Sequence, residues 1–186
     1  MRKLIVSEFV TLDGVMEAPG GESTHPHAGW VIDHMSPEQE LFKLDEVLEA
    51  DALLLGRVTY EGFSAAWPDV EGVFADKMNA MPKYVASTTL RDPGWNATVL
   101  GRDVPTAVWS LKQGEGGPIL VAGSCTLVHA LLEAGLVDEL RLMVFPVSIG
   151  HGLRVFPEER TALSWRLVDQ TTFPTGVVAL TYHPGS

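Results

Sequence analysis

The sequence predicts an α/β fold with a mostly parallel central sheet and antiparallel strands at one edge. Three observations lead there. Ala52-Leu53-Leu54-Leu55 and Ile119-Leu120-Val121-Ala122 are unbroken apolar runs, each ending at a glycine, as expected of strands buried on both faces. Each run is followed by a stretch suited to a helix. Beyond residue 139, strand-like segments follow one another with no helix between them, which places antiparallel strands at one side of the sheet.

Taken in order, Leu4-Ile5-Val6-Ser7-Glu8-Phe9-Val10 reads as the first strand, and Thr11-Leu12-Asp13-Gly14 ends it with turn chemistry. Residues 15–35 form a long loop with Pro19-Gly20-Gly21, three histidines and Trp30. A loop of that length in a compact domain usually serves a site. Ser36-Pro37-Glu38-Gln39 starts a helix: Ser36 suits the cap, Pro37 the first helical position and Gln39 the third residue of a capping box. Leu41, Leu44 and Leu48 then supply an apolar face up to Ala50.

A second helix is expected after Gly56. Tyr84-Val85-Ala86-Ser87 and Ala97-Thr98-Val99-Leu100 read as strands around an Arg91-Asp92-Pro93-Gly94 turn. Leu127, Leu131 and Leu132 give a helix that Gly135 terminates. Leu140 to Phe145 is again strand-like, and segments around Trp165-Leu167 and Val177-Tyr182 pair as a hairpin. With 186 residues, no repeat and no linker, residues 1–186 are expected to form one domain.

Composition narrows the function. A formal net charge of -11 disfavours nucleic acid and anionic lipid as partners. An anionic ligand would need local amides and a few placed side chains instead. A single cysteine, Cys125, excludes an internal disulfide, and no apolar stretch approaches the roughly 20 residues of a membrane-spanning helix. A cytoplasmic protein is expected.

Two turns could receive such an anion. In Leu55-Gly56-Arg57-Val58-Thr59 a buried strand delivers glycine, arginine and threonine to a helix start, where amides and the helix dipole favour negative charge and Arg57 could fork a phosphate. The alternative is a capped helix with a surface arginine. Gly123-Ser124-Cys125-Thr126 repeats the arrangement, and both turns belong at the carboxyl ends of strands, where ligands of open α/β sheets lie. Gly56 and Gly123 are expected to aim free amides into one groove.

Ser87-Thr88-Thr89 could add hydroxyl contacts or form an ordinary polar turn, and Asp13 could hold a substrate or its own turn. His25, His27 and His34, with Glu22 nearby, lack the paired clusters of a zinc site, so no metal is expected. Cys125 at a helix start could carry thiolate character or simply be packed. No nucleophile elbow, Walker motif or full Rossmann fingerprint is present.

Thr11-Leu12-Asp13-Gly14, Gly56-Arg57-Val58-Thr59-Tyr60-Glu61, Leu131-Leu132-Glu133-Ala134-Gly135-Leu136-Val137-Asp138-Glu139-Leu140 and Pro146-Val147-Ser148-Ile149-Gly150-His151-Gly152 together resemble the family that joins dihydrofolate reductase to the C-terminal reductase domain of the riboflavin-pathway deaminase/reductase. The resemblance implies a dihydrofolate reductase-like three-layer α/β/α fold and NADPH lying across the strand ends. It puts the adenosine phosphates near Gly56, Arg57, Val58 and Thr59, the ribose near Ser87 and Thr88, and the pyrophosphate against Gly123, Ser124, Cys125 and Thr126. Val10 and Leu12 would approach the nicotinamide, with Asp13 a candidate catalytic residue beside a small-molecule substrate. A homodimer is also implied.

The chain departs from that family at Ala122-Gly123-Ser124, where a glutamate and paired glycines are usual, and at Ser7, where a basic residue is. Its first long helix offers Glu40 and Asp45 but no clear counterpart of the buried acid of dihydrofolate reductases. A reductase of a small heterocycle, similar to 5-amino-6-(5-phosphoribosylamino)uracil reductase, is the expected function. A true dihydrofolate reductase and a non-catalytic nucleotide-binding protein are the alternatives.

Overall fold

A computed structural model describes residues 1–21, 25–158 and 162–185. Its strands are β1 (Leu4–Thr11), β2 (Ala52–Gly56), β3 (Lys83–Ala86), β4 (Ala97–Val99), β5 (Ile119–Val121), β6 (Glu139–Phe145), β7 (Trp165–Thr172) and β8 (Val178–Pro184). They form a single 8-stranded sheet in the order β4-β3-β2-β5-β1-β6-β8-β7. The strands from β4 to β6 in that order are joined in parallel, whereas β8 pairs antiparallel with both β6 and β7. The fold is the dihydrofolate reductase-like α/β/α sandwich that the sequence resembles.

The helices are α1 (Pro37–Glu49), α2 (Arg57–Ala66), α3 (Val73–Ala80), α4 (Val104–Gln113) and α5 (Cys125–Glu133). Both predicted apolar runs are central strands: Leu53, Leu54, Leu55, Ile119 and Val121 are completely buried. Alternation then divides the core. Leu4, Val6, Leu54 and Val121 pack with Val108 of α4 and Leu127, Val128 and Leu131 of α5, while Ile5, Leu53, Leu55 and Leu120 pack with Val47 of α1, Tyr60 of α2 and Met78 of α3. Successive residues face opposite layers, so an apolar layer on each side requires a continuously apolar strand.

Two expectations for α1 are corrected. Ser36 occupies the cap position without a side-chain cap bond, and Gln39 does not complete a capping box: it is buried and its Oε1 accepts the Thr175 hydroxyl at 2.8 Å. The helix also turns its leucine stripe outward, with Leu41 61% and Leu48 45% exposed, and buries Gln39, Glu46 and Val47. The sheet surface under this helix carries Ser7 and Arg141. Ser7 donates to Glu46 at 2.9 Å and accepts from Lys43 at 2.7 Å, Lys43 also pairs with Glu46, and Arg141 reaches Glu139 and Glu49. A polar sheet face selects the polar helix face, because buried charges must be paired.

Lys83 is a second buried charge. Fully covered at the start of β3, its ammonium donates to the Asn79 carbonyl at 2.9 Å and lies 4.0 Å from the Trp95 ring centroid. Burial pushes its pKa down to about 8. Because the unfolded chain holds this proton more tightly, Lys83 adds stability above its ordinary value of 10.5, and that increment fades as pH falls through 8. Lys83→Met should therefore be neutral or stabilising at pH near 7, and the wild-type-minus-variant stability difference should rise with pH between about 8 and about 10.5. Urea unfolding at several pH values measures this; a difference independent of pH counts against a depressed pKa.

Candidate cofactor-binding site

The parallel strands end on one side of the sheet, and their order places Ser87, Gly56, Gly123 and Leu12 on the consecutive strand ends of β3, β2, β5 and β1. Four adjacent strands span about 14 Å. Gly56, Ser87, Gly123 and Leu12 thus share one edge of the sheet.

The two glycine bends meet. The Gly56 amide donates to the Gly123 carbonyl at 3.4 Å, and a Cβ on Gly56 would lie 1.7 Å from Ser124 Oγ. Gly123 has φ of +76°, and a Cβ there would lie 2.9 Å from Thr59 Oγ1. Glycine is required at both positions by close approach, and at Gly123 also by backbone conformation. The expectation of free glycine amides is corrected, however. Gly56 spends its amide on Gly123, and Gly123 donates to a Glu8 carboxyl oxygen at 2.7 Å. The bends lie in a buried layer where every polar group needs a partner, so available amides belong to the first turns of α2 and α5 instead.

Arg57 is exposed and forks to Glu61 on its own helix, at 2.8 and 2.9 Å. Such a surface pair contributes only about 0.3–0.5 kcal/mol, so it holds the guanidinium weakly. Val58 and Thr126 are exposed, and Thr59 and Ser124 are partly so. Ser87 is buried and its Oγ accepts the amides of Thr89 and Leu90 at 3.2 and 2.9 Å; it builds the polar turn, leaving Thr88 exposed beside it. Val10 lies in the core while Leu12 is 67% exposed.

Cys125 is packed: its Sγ lies 3.3 Å from His129 Nε2 and 3.2 Å from the Arg154 carbonyl. Burial, with Glu8 and Glu17 nearby, pushes the thiol up to about 11, which removes the thiolate reading. Asp13 holds its turn. Its carboxylate accepts the Thr11 hydroxyl at 2.6 Å, the Gly150 amide at 2.7 Å and the Ile149 amide at 3.3 Å. The Thr11 bond foremost holds its pKa well below the ordinary carboxylate range. A carboxylate held ionised at neutral pH is a turn anchor and not a proton donor.

The histidines gather differently from their spacing. His25 and His151 stack with centroids 4.8 Å apart, and His27 lies 5.7 Å from His151, joining the 15–35 loop to the segment after β6. No group of three potential ligands able to hold a metal occurs among the described residues; Glu22 lies outside them. Glu8 and Glu46 went unrecognised in the sequence reading. Glu46, rather than Glu40 or Asp45, is the acid that α1 buries, and its carboxyl group is held by Ser7, Lys43 and Arg141. A charged residue inside the apolar run of β1 was the signal that could have identified Glu8.

Among relatives, the chain is 29% identical to the uncharacterised Bacillus subtilis (strain 168) protein YyaP, over 98% of this chain and 95% of that protein. A Shewanella sp. PV-4 structure assigned to riboflavin biosynthesis superposes with a TM-score of 0.76 at 20% identity, covering 99% of each chain. Dihydrofolate reductase from Enterococcus faecalis, solved with NADP(H), superposes with a TM-score of 0.65 at 17% identity, covering 99% of this chain and 97% of that one. No helix of the described residues is long and apolar enough to cross a membrane. The model of the RibD C-terminal domain matches residues 2–179, and the chain belongs to that family.

Proposed function

We propose that this protein is an NADPH-dependent reductase of a C=N or C=O bond in a small heterocyclic substrate. The observation that carries the reading is the contact of the two glycine bends at the carboxyl edge of the sheet. Where a side chain would collide with the neighbouring bend, the chain has glycine, and the starts of α2 and α5 come together beside them. Paired helix starts suit a pyrophosphate, and a dinucleotide fits better than a single phosphate because the edge continues past both.

On this reading the first-turn amides of α2 and α5, with Thr59 and Ser124, hold the phosphates. Arg57 leaves Glu61 for the 2′-phosphate, Thr88 lies near the ribose, and Leu12 flanks the nicotinamide. NADPH supplies the reducing equivalent. The protein contributes alignment and exclusion of water, the Asp13 turn and the 15–35 loop shape the substrate side, and water is the proton source. The small-molecule substrate, a cytoplasmic location and a homodimeric state belong to the same proposal.

Fluorescence titration tests the cofactor assignment. NADPH should bind more tightly than NADH, and Arg57→Ala should erase that preference at a loss of about 1.5–3 kcal/mol, the range for hydrogen bonds to charged groups. NADPH affinity unchanged by Arg57→Ala would remove the arginine from the phosphate site. Turnover with pyrimidine but not pterin substrates would separate a riboflavin-type reductase from a dihydrofolate reductase.

A further inference from the structure

Glu8 stands in the middle of β1, 8% exposed, and its Oε1 accepts the Gly123 amide at 2.7 Å. Gly123 in turn accepts the Gly56 amide, and Thr59 Oγ1 closes over its Cα. The bend is therefore held from beneath by one carboxyl group and from the side by the other bend. We propose, resting on the cofactor reading above, that Glu8 is a positioning residue: its carboxyl group, bonded to the Gly123 amide, fixes the bend that receives the anionic dinucleotide.

The surroundings explain the coupling. The groups acting on Glu8 are Lys43 and Glu46 of α1 and Cys125 of α5, with His129 one turn further on; its paired neighbour on β6 is Leu142, which carries no charge. Burial outweighs the Gly123 bond and Lys43 and pushes the acid up to about 8. The neutral acid still offers a carbonyl oxygen to the amide. Phosphates at the start of α5 add negative charge on the same side, disfavouring the carboxylate further, so binding takes up a proton and protonation favours binding. The sign is definite: affinity is level below about 8 and declines as pH rises above it.

The test titrates NADPH fluorescence from about pH 7 to about pH 10 against the unaltered protein, Glu8→Gln and Glu8→Ala, and follows the Gly123 amide by ¹⁵N NMR over the same range. The unaltered protein should weaken towards tenfold per pH unit above about 8. Glu8→Gln keeps an acceptor and cannot ionise, so it should bind within about threefold of the unaltered protein near neutral pH and stay level. Glu8→Ala should bind poorly throughout. The Gly123 amide should titrate near 8 in the unaltered protein and be static in Glu8→Gln. Lys83, which also titrates near 8, sits at the opposite end of β3 and is present in every variant. A Glu8→Gln profile that declines like the unaltered one overturns the proposal, as does an Ala variant that binds normally. Failure of the unaltered protein to bind NADPH at any pH overturns the reductase reading itself. In that event a static Gly123 resonance also refutes the hold by Glu8, and a titrating one retains the hold while ending its cofactor role.

Discussion

Replacing Gly56 by alanine should separate the two bends, with loss of both stability and cofactor affinity. The added methyl would sit 1.7 Å from Ser124 Oγ, 2.9 Å from Ser124 Cβ and 3.2 Å from its backbone nitrogen. Rotating the serine hydroxyl away relieves the first contact only, so the β2 and β5 ends must move apart. Overpacking of this kind costs about 1–3 kcal/mol, and for a chain of this size each kcal/mol lowers Tm by roughly 2–4 °C. Since the starts of α2 and α5 depart together, NADPH affinity should fall at least about tenfold beyond what instability explains.

A double variant decides the cause. Gly56→Ala with Ser124→Gly removes the hydroxyl and the Cβ from the collision, and it should recover part of the lost Tm. Non-additivity of that kind is expected of residues in contact. Should the double variant be as unstable as the sum of the two single ones, the close approach of the bends is not what Gly56 serves. Thermal melts with and without NADPH provide both readouts.

Arg141→Met should be strongly destabilising, because it strips the cation from a mostly buried network. Arg141 meets Glu139 at 2.5 Å, Glu49 at 2.9 Å and Glu46 at 3.7 Å, and the Glu139 and Glu46 side chains are 6% and 4% exposed. Removing one partner of a buried pair costs about 3–5 kcal/mol, and the low end applies because Lys43 still serves Glu46 and Lys3 and His183 still serve Glu139. Burial raises the Glu139 pKa, but Arg141 foremost, with His183 and Lys3, more than reverses this and leaves it below the ordinary value.

The pH dependence follows from that direction. A depressed folded pKa means that Glu139 contributes its full stability above its ordinary value of 4.5 and loses it as pH falls through the lower folded value. Urea unfolding should therefore show the unaltered protein and Arg141→Met converging in acid and diverging at neutral pH. A stability gap of equal size across that range would mean that lost packing of the arginine stem, not lost charge, is responsible.

Sequence alone determined the sheet's central strands and the position of the bends. An apolar run ending in glycine before a helix has few alternatives: burial on both faces fixes the strand, and the glycine marks where backbone must come close. Helices α3 and α4 were not foreseen. Val73–Ala80 carries a weak apolar pattern behind Gly72, and Val104–Gln113 is started by Asp103, whose side chain accepts the Thr106 amide at 3.2 Å. The leucine stripe of α1 misled for a related reason: periodicity identifies an amphipathic helix, but the polarity of the sheet beneath decides which face turns inward.

What the tertiary structure decided is who partners whom. The chain's order of strands does not disclose that β5 lies between β2 and β1, yet that insertion brings Gly123 against Gly56 across 67 positions and Glu8 under Gly123 across 115. Local sequence specifies conformation through sterics and burial, which act over a few residues. Hydrogen bonds between distant residues, and the pKa values that follow from them, exist only after folding has removed water from between the groups.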